Sequence, residues 1–152
     1  MNDRTNYKII QASHEDLDIV APLFDAYRVF YEKTSDLDSA KNYLRERISN
    51  LESVIFLAVD GEEGLGFAQI YPTFESLQMK RWWILYDLFV TPSARGEGIA
   101  RALMDQASSF AQAAGAAGMA LSTAVDNKPA QALYESQGWI RDTDFYHYEI
   151  DF

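Results

Sequence analysis

The chain has 152 residues, of which 48% are hydrophobic and 14% aromatic, a composition typical of a folded protein. We expect one domain, 1–152. Its formal net charge of −10 disfavours nucleic-acid partners, which require a basic surface, and favours cationic ones; a role in solubility alone is the alternative. No stretch has the length and apolarity of a membrane span, and the polar residues 1–6 do not resemble a signal peptide. With no cysteine and two histidines, the sequence predicts a cytoplasmic, metal-free protein.

Hydrophobic periodicity predicts an α/β fold with elements in the order βααβββαβαββ. Four helices are expected to begin near residues 13, 36 or 38, 99 and 128. Strands are expected at 7–11, 54–59, 66–74, 81–90, 119–125, 139–141 and 145–152. The strand after the third helix must run parallel to the fourth strand, because the connection is a crossover. The prediction is a mixed, mostly antiparallel sheet of six or seven strands flanked by four helices.

The segment between the fourth strand and the third helix has the composition of a phosphate-binding turn. The apolar run 84–90 stops at Pro92, and Arg95 is followed by a Gly-x-Gly motif at 96–98, where a helical pattern begins. Two glycines allow several N–H groups to converge, and the positive end of the helix dipole lies at the same place. The segment lacks the Gly-Lys-Ser/Thr of a P-loop and the third small residue of a dinucleotide fingerprint. An ordinary glycine-bearing turn is the alternative.

The string from Arg95 to Ala100 follows the pattern Arg/Gln-x-x-Gly-x-Gly/Ala after a strand ending Leu88-Phe89-Val90. It resembles the acetyl-CoA signature of the GNAT superfamily of N-acetyltransferases. The predicted element order is similar to the GNAT fold along nearly the whole chain, and the C-terminal region is similar to the histone/polyamine acetyltransferase-like branch. The resemblance implies transfer of the acetyl group of acetyl-CoA to a primary amine by direct attack in a ternary complex. A catalytically silent CoA-binding regulatory module of the same fold is the alternative.

The resemblance also implies where the cofactor binds. The strand end would bind the pantetheine arm through its backbone, with its side chains in the core, and an N–H near Phe89 would polarise the thioester carbonyl. The pyrophosphate would lie in the turn and on the first residues of the helix. Arg101 has an alternative as a solvated helix arginine paired with Glu97 or Asp105. The implied cofactor-binding residues are Leu88, Phe89, Val90, Arg95, Gly96, Gly98, Ile99, Ala100, Arg101, Asn127 and Ala130.

The segment from Asn127 to Trp139 carries a second family-like pattern: an Asn, an Ala, a Leu-Tyr pair and a Gly-Trp pair in register. By resemblance, Tyr134 is the acid that protonates the departing CoA thiolate. A phenol with a pKa of about 10 stays protonated at neutral pH, as this role requires. The alternatives make Asn127 a helix cap and Tyr134 part of the apolar helix face. Asn127 can fill both roles.

A general base is marked less clearly in the sequence. Many relatives carry a glutamate on the fourth strand, but residues 82–86 contain no carboxylate and Asp87 is the first acid. A charge in so apolar a strand needs a partner or a role, so Asp87 is a candidate catalytic residue. A structural carboxylate is the alternative for Asp87. Catalysis through Tyr86 and a water chain, or unaided attack by the amine, also remains open.

Acceptor selection is expected to depend on the first two helices and on the loop between the third and fourth strands. An aromatic wall and an acid there would hold the ammonium group of a small-molecule amine or a lysine-like acceptor. Core packing with a solvated acid is the alternative. A homodimer is left open. The candidate acceptor-binding residues are Phe30, Tyr31, Phe74, Glu75, Trp82 and Trp83.

Overall fold

The computed structural model describes residues 6–152, which form two compact units, one extending to Leu121 and the other comprising Ser122–Phe152. The polar N-terminal segment noted in the sequence lies outside the described residues except for Asn6. The first unit contains β1 (Lys8–Gln11), α1 (Leu17–Phe30), α2 (Leu37–Ser49), β2 (Val54–Asp60), β3 (Glu63–Glu75), β4 (Lys80–Val90), α3 (Ile99–Ala113) and β5 (Gly118–Ala120). The second contains α4 (Lys128–Ser136).

The five strands form one sheet in which spatial order follows sequence order, β1-β2-β3-β4-β5. The first four strands pair antiparallel, and β5 pairs parallel to β4. This arrangement confirms the predicted mixed sheet and its one parallel pair. The connection between β4 and β5 contains α3, because parallel neighbours need a crossover of this length.

The sheet buries both of its faces, and alternate residues of β2 show how. Ile55, Leu57 and Val59 belong to the core cluster that includes α1 and α2. Phe56 points the other way, with its ring 5.6 Å from that of Phe110 on α3. The period of two therefore separates an α1/α2 layer from an α3 layer.

The start of α1 shows that its predicted cap is correct in kind but that the helix begins later than expected. Ser13 and Asp16 form a capping box, in which the Ser13 N–H donates to Asp16 Oδ2 at 2.8 Å. A 3-10 turn, His14–Asp16, comes first and α1 follows at Leu17. The reciprocal cap satisfies backbone donors that the helix itself cannot pair.

The predicted strands at 139–141 and 145–152 are wrong, because residues 139–152 form no strand; within residues 6–152 the sheet has five strands instead of six or seven. The strand predicted at 119–125 is reduced to Gly118–Ala120. An alternating pattern shows which side chains could share a face, but a strand also needs a partner's hydrogen-bond ladder. Between the two segments the chain turns locally, with the Asp144 N–H donating to Asp142 Oδ1 at 2.9 Å.

Candidate active site

The edge of β4 that faces β5 is paired along only part of its length. Pairing runs from Trp82↔Gly118 to Ile84↔Ala120, whereas β4 continues to Val90. Within the first unit, as far as it is described, residues 85–90 have a partner strand on the β3 side alone. Backbone groups on the other side of this segment are placed to bind an extended ligand as an added strand would.

A β-bulge interrupts β4 just past the last pair with β5. Gln69 pairs with Asp87 and Ile70 pairs with Leu85, so Tyr86 is an extra residue on β4. Before the bulge, Trp83 packs on the α3 side, its ring 5.5 Å from that of Phe110. Bulges re-aim side chains and often lie beside active sites.

After the bulge, the side chains of Asp87 and Phe89 face α1. Strict alternation from Trp83 would have placed both of them on the α3 side. Asp87 accepts a hydrogen bond from Gln69, and the ring of Phe89 lies 6.3 Å from that of Tyr27 on α1. Phe89 is buried, which confirms the expected core position of its side chain. The bulge thus brings Asp87 to the face that carries α1 and α2.

A row of buried polar side chains crosses the sheet at this level. Ser53 Oγ donates to Gln69 Oε1 at 2.8 Å, and Gln69 Nε2 donates to Asp87 Oδ2 at 2.7 Å. All three residues are buried, and Asp87 is 4% exposed. Because a hydroxyl donates to one end of the Gln69 amide, its NH₂ end must face the carboxylate. Asp87 is therefore a paired side chain, held by Gln69 of the neighbouring strand.

The Tyr27 side chain completes the surroundings of Asp87 from α1. Its hydroxyl donates to the backbone carbonyl of Tyr86 at 3.4 Å and also interacts with the Asp87 carboxylate. Burial, followed by the neighbouring Asp87 charge, raises the pKa of Tyr27 above its ordinary value. Burial raises the pKa of Asp87 as well, although hydrogen bonds from Gln69 and Tyr27 act in the opposite direction. A carboxyl with a raised pKa, near an unpaired strand edge, has the properties of a proton acceptor.

The turn after β4 has the backbone conformation that its glycines predict. Gly96 and Gly98 have φ of 80° and 79°, in the left-handed region that suits glycine. Gly98 is the N-cap of α3 and provides no side-chain cap, and Ala102 donates the first helical hydrogen bond to its carbonyl at 3.0 Å. A Cβ at either glycine would meet nothing within 4 Å. Because no side chain caps α3, the N–H groups of its first turn are left to bind an anion.

Arg95 lies at this turn and makes two kinds of contact. Its Nε donates to the Val90 carbonyl at 3.0 Å, and its guanidinium lies 5.8 Å from the Phe30 ring centroid and 5.7 Å from that of Phe89. These contacts tie the end of β4 to the end of α1 through one cation. They leave the terminal nitrogens of the fork as the natural donors to a phosphate.

The other residues assigned to cofactor binding divide between the two units. Leu88 lies on β4, and Ile99, Ala100 and Arg101 are the first residues of α3; all four belong to the first unit, as Arg95 does. Ile99 is 1% exposed, so its side chain is in the core and its backbone is the part that could bind.

Asn127, Ala130 and Tyr134 lie in the second unit, on or next to α4. Asn127 Oδ1 accepts from the Ala130 N–H at 3.3 Å, so the helix-cap interpretation of Asn127 is correct. Tyr134 lies in the last turns of α4, and its carbonyl accepts from the N–H groups of Gln137 and Trp139. The catalytic role of Tyr134 stays a prediction.

The expected aromatic wall for the acceptor is not one surface. Trp83 is 5% exposed and packs against α3, which confirms the core alternative for that residue. Phe74 is exposed, and the Arg81 guanidinium lies 4.9 Å from its ring centroid. Phe30 is the last residue of α1 and Tyr31 is its C-cap; their ring centroids lie 5.2 Å apart.

Sequence reasoning missed the residues that surround Asp87, namely Tyr27, Ser53 and Gln69. The spacing of Tyr27 places it on the apolar face of the first helix, where its hydroxyl gives no polar signal. Gln69 does carry a signal, because it is a lone polar residue in the apolar run 67–70. A buried amide there requires partners, and Ser53 and Asp87 are those partners.

Neither a metal centre nor a membrane span is found in the part of the chain that the structure describes. Across residues 6–152, no three His, Cys, Asp or Glu side chains are grouped so as to hold a metal ion. Over the same range, no helix has the length and apolarity needed to cross a bilayer.

Comparisons with known proteins agree with this fold. The model of the Acetyltransferase (GNAT) family matches residues 20–139. The uncharacterized N-acetyltransferase YhfO of Bacillus subtilis (strain 168) is 46% identical over 140 residues, which is 92% of this chain and 94% of the relative. A probable acetyltransferase of Haemophilus influenzae is 35% identical over 104 residues, 68% of this chain and 71% of the relative. The chain therefore belongs to the GNAT family of acetyltransferases.

Solved structures extend the comparison. The crystal structure of a probable acetyltransferase superposes with a TM-score of 0.90 at 44% identity, covering 95% of this chain and 97% of the other. An aminoglycoside acetyltransferase from a soil metagenome has a TM-score of 0.82 at 17% identity, over 98% of each chain, and shows the shared fold alone. The family uses acetyl-CoA as its acetyl donor.

Proposed function

We propose that this protein transfers the acetyl group of acetyl-CoA to a primary amine, by direct attack in a ternary complex. The observation that carries the proposal is a pair of adjacent features at the end of β4. The last residues of β4 have an unpaired edge, and two glycines with positive φ then lead to the N-terminus of α3, which no side chain caps. An extended pantetheine arm fits the first feature and a pyrophosphate fits the second. The match to the GNAT family supports both assignments.

The chain's own residues would hold the donor as follows. The backbone of Leu88 and Val90 would bind the pantetheine arm. The N–H groups of the 96–101 segment, with Arg95 and Arg101, would bind the pyrophosphate. In the second unit, Asn127 and the first turn of α4 at Ala130 would supply further cofactor contacts. Acetyl-CoA supplies an acetyl group activated as a thioester.

Four groups would assist the transfer. An N–H near Phe89 would donate to the carbonyl oxygen as it gains negative charge. The amine nitrogen forms a bond to the acetyl carbon, the carbon–sulfur bond breaks, and the Tyr134 hydroxyl gives its proton to the departing thiolate. We assign the proton lost by the amine to Asp87. Because Asp87 is 4% exposed, the proton would pass to the Tyr27 oxygen while the Tyr27 proton moves to the carboxylate.

A catalytically silent CoA-binding module is the second candidate, favoured by one observation. The carboxylate nearest the bulge, Asp87, is buried and already accepts hydrogen bonds, so direct contact with an amine would require rearrangement.

The acceptor in the main proposal is a small amine or a lysine-like group, because the chain's net charge of −10 attracts cations.

A thiol-release assay with acetyl-CoA and a panel of primary amines separates the two candidates. The proposed enzyme releases free CoA in proportion to acetylated amine. A silent module binds acetyl-CoA and releases no thiol with any amine.

The cofactor site has its own test in a matched pair of glycine variants. Gly98 and Gly115 both have φ of 79°, and a Cβ at either position would have no neighbour within 4 Å, so glutamate costs similar backbone strain at each. Gly98→Glu places bulk and negative charge in the proposed pyrophosphate site and should abolish acetyl-CoA binding by calorimetry, whereas Gly115→Glu should preserve it. Equal binding by two folded variants would remove the assignment.

A further inference from the structure

Four tyrosines meet around the bulge in β4, on the face that carries α1 and α2. We call Tyr27, Tyr43, Tyr71 and Tyr86 the tyrosine cluster. The Tyr43 and Tyr71 hydroxyls hydrogen-bond at 2.7 Å, and the Tyr71 and Tyr86 rings lie 5.6 Å apart at 78°. Tyr27 joins the cluster by donating to the Tyr86 carbonyl. The cluster therefore connects both helices to β3 and β4.

Hydrogen bonds engage three of the four hydroxyls in the cluster, and Tyr86 is its most accessible member. Tyr27, Tyr43 and Tyr71 use their hydroxyls on one another or on the backbone. Tyr86 is 68% exposed, so a face of its ring is available to a ligand. Aromatic faces carry negative electrostatic potential and attract cations.

Charge near the cluster favours a cation as well. Asp87 lies beneath it, next to Tyr27 and to the backbone of Tyr86. Among the described residues, Arg47 is a cation that contacts the cluster: its guanidinium lies 4.6 Å from the Tyr43 ring centroid. Arg47 is paired with Glu46 at 3.1 Å and with Glu52 at 3.3 Å, so its charge is balanced locally.

We propose that the tyrosine cluster, with Asp87 behind it, is the subsite that binds the cationic head of the acceptor. Tyr86 lies two residues beyond the last β4–β5 pair, where the unpaired edge of β4 begins. A cation on the Tyr86 ring is therefore next to the backbone that would hold the thioester, and in this respect the inference rests on the proposed function. The same surroundings repel carboxylates, so the acceptor class is an amine without a neighbouring carboxylate, such as an alkylamine or a lysine side chain.

The test compares two ligands of equal shape that differ in charge. Choline is a cation, and 3,3-dimethylbutan-1-ol is its neutral isostere; neither contains an amine that can be acetylated. We expect choline to bind about tenfold more tightly by calorimetry, in the range that cation–π contacts provide. Tyr86→Leu should remove this preference, and because the side chain is largely exposed the fold should persist.

Phe74→Leu is the matched control. Phe74 and Tyr86 are exposed to a similar extent, 69% and 68%. Phe74 lies on β3 and pairs with Arg81, which is five residues before Tyr86 on β4. Its ring already faces a guanidinium, so its loss should leave the choline preference unchanged.

The outcomes separate this inference from the proposed function. No choline binding, equal binding of the two ligands, or a preference that survives Tyr86→Leu overturns the subsite, even when amines promote thiol release. A Tyr86-dependent choline preference without thiol release from any amine supports the subsite and refutes the acetyl transfer.

Discussion

Replacing Asp87 by asparagine should lower the activity of the protein without lowering its stability near neutral pH. The substitution keeps the size of the side chain and an oxygen that can accept from Gln69 Nε2, now at 2.7 Å from the carboxylate. The new amide can donate to the Tyr27 oxygen, so both neighbours keep a partner. What the substitution removes is a charge in a side chain that is 4% exposed.

The sign of the effect follows from the raised pKa of Asp87. Below its ordinary pKa of 3.8, the carboxyl is protonated in folded and unfolded chains alike, so its ionisation does not lower the free energy of unfolding. As pH rises above that value the unfolded chain releases its proton first, so the free energy of unfolding of the wild type falls by about 1.4 kcal/mol per pH unit. The fall ends once pH passes the raised pKa of the folded state. Asparagine has no such dependence.

Urea unfolding of both proteins from acid to neutral pH measures this difference, since the other titrating groups are shared. We expect the Asp87→Asn variant to gain stability relative to the wild type as pH rises, and to be at least as stable near neutrality. In the thiol-release assay its kcat should fall by about 10²-fold, with acetyl-CoA affinity retained. A wild type that gains stability over the variant with rising pH would refute the electrostatic reasoning, and an unchanged kcat would remove Asp87 from the mechanism.

Three other substitutions or conditions have expected outcomes. Tyr134→Phe should lower kcat by about 10²-fold while acetyl-CoA affinity by calorimetry stays near wild type, and a wild-type rate at saturating substrate would exclude the acid role. Gly66→Ala would place a Cβ 2.6 Å from the Phe89 carbonyl oxygen, so the free energy of unfolding should fall by about 1–3 kcal/mol; a neutral result in urea titration would contradict this. Added salt should raise the KM for cationic amines and leave the KM for neutral amines unchanged, if the net charge of −10 steers the acceptor; equal salt dependence of the two would exclude steering.

The strand, turn and α3 could be predicted because their signals are local. Pro92 cannot donate to a ladder, and Gly96 and Gly98 take up the positive φ that the turn requires. No contact with residues distant in the chain is needed to predict these elements. The helical start after Gly98 and the parallel pair of β4 and β5 follow from the same short segment.

The surroundings of Asp87 could not be predicted in this way, because they depend on register. The sequence marks Asp87 as a lone acid in an apolar strand, but it does not show that Tyr86 is an extra residue in β4. Only pairing with β3 reveals the bulge, and pairing depends on contacts between residues far apart in the chain. The strand prediction for 145–152 is wrong for a related reason, since alternation along a segment does not show whether another strand lies beside it.

The bulge and the buried polar row depend on each other. Without the extra residue at Tyr86, alternation would put Asp87 on the same face as Trp83, against the apolar side of α3, where a carboxylate would lose its hydrogen bonds. With it, the carboxylate meets Gln69, whose amide is already oriented by Ser53. Sheet register therefore converts an unpaired charge into a paired one, and does so beside the unpaired edge of β4, where the proposed transfer requires a proton acceptor.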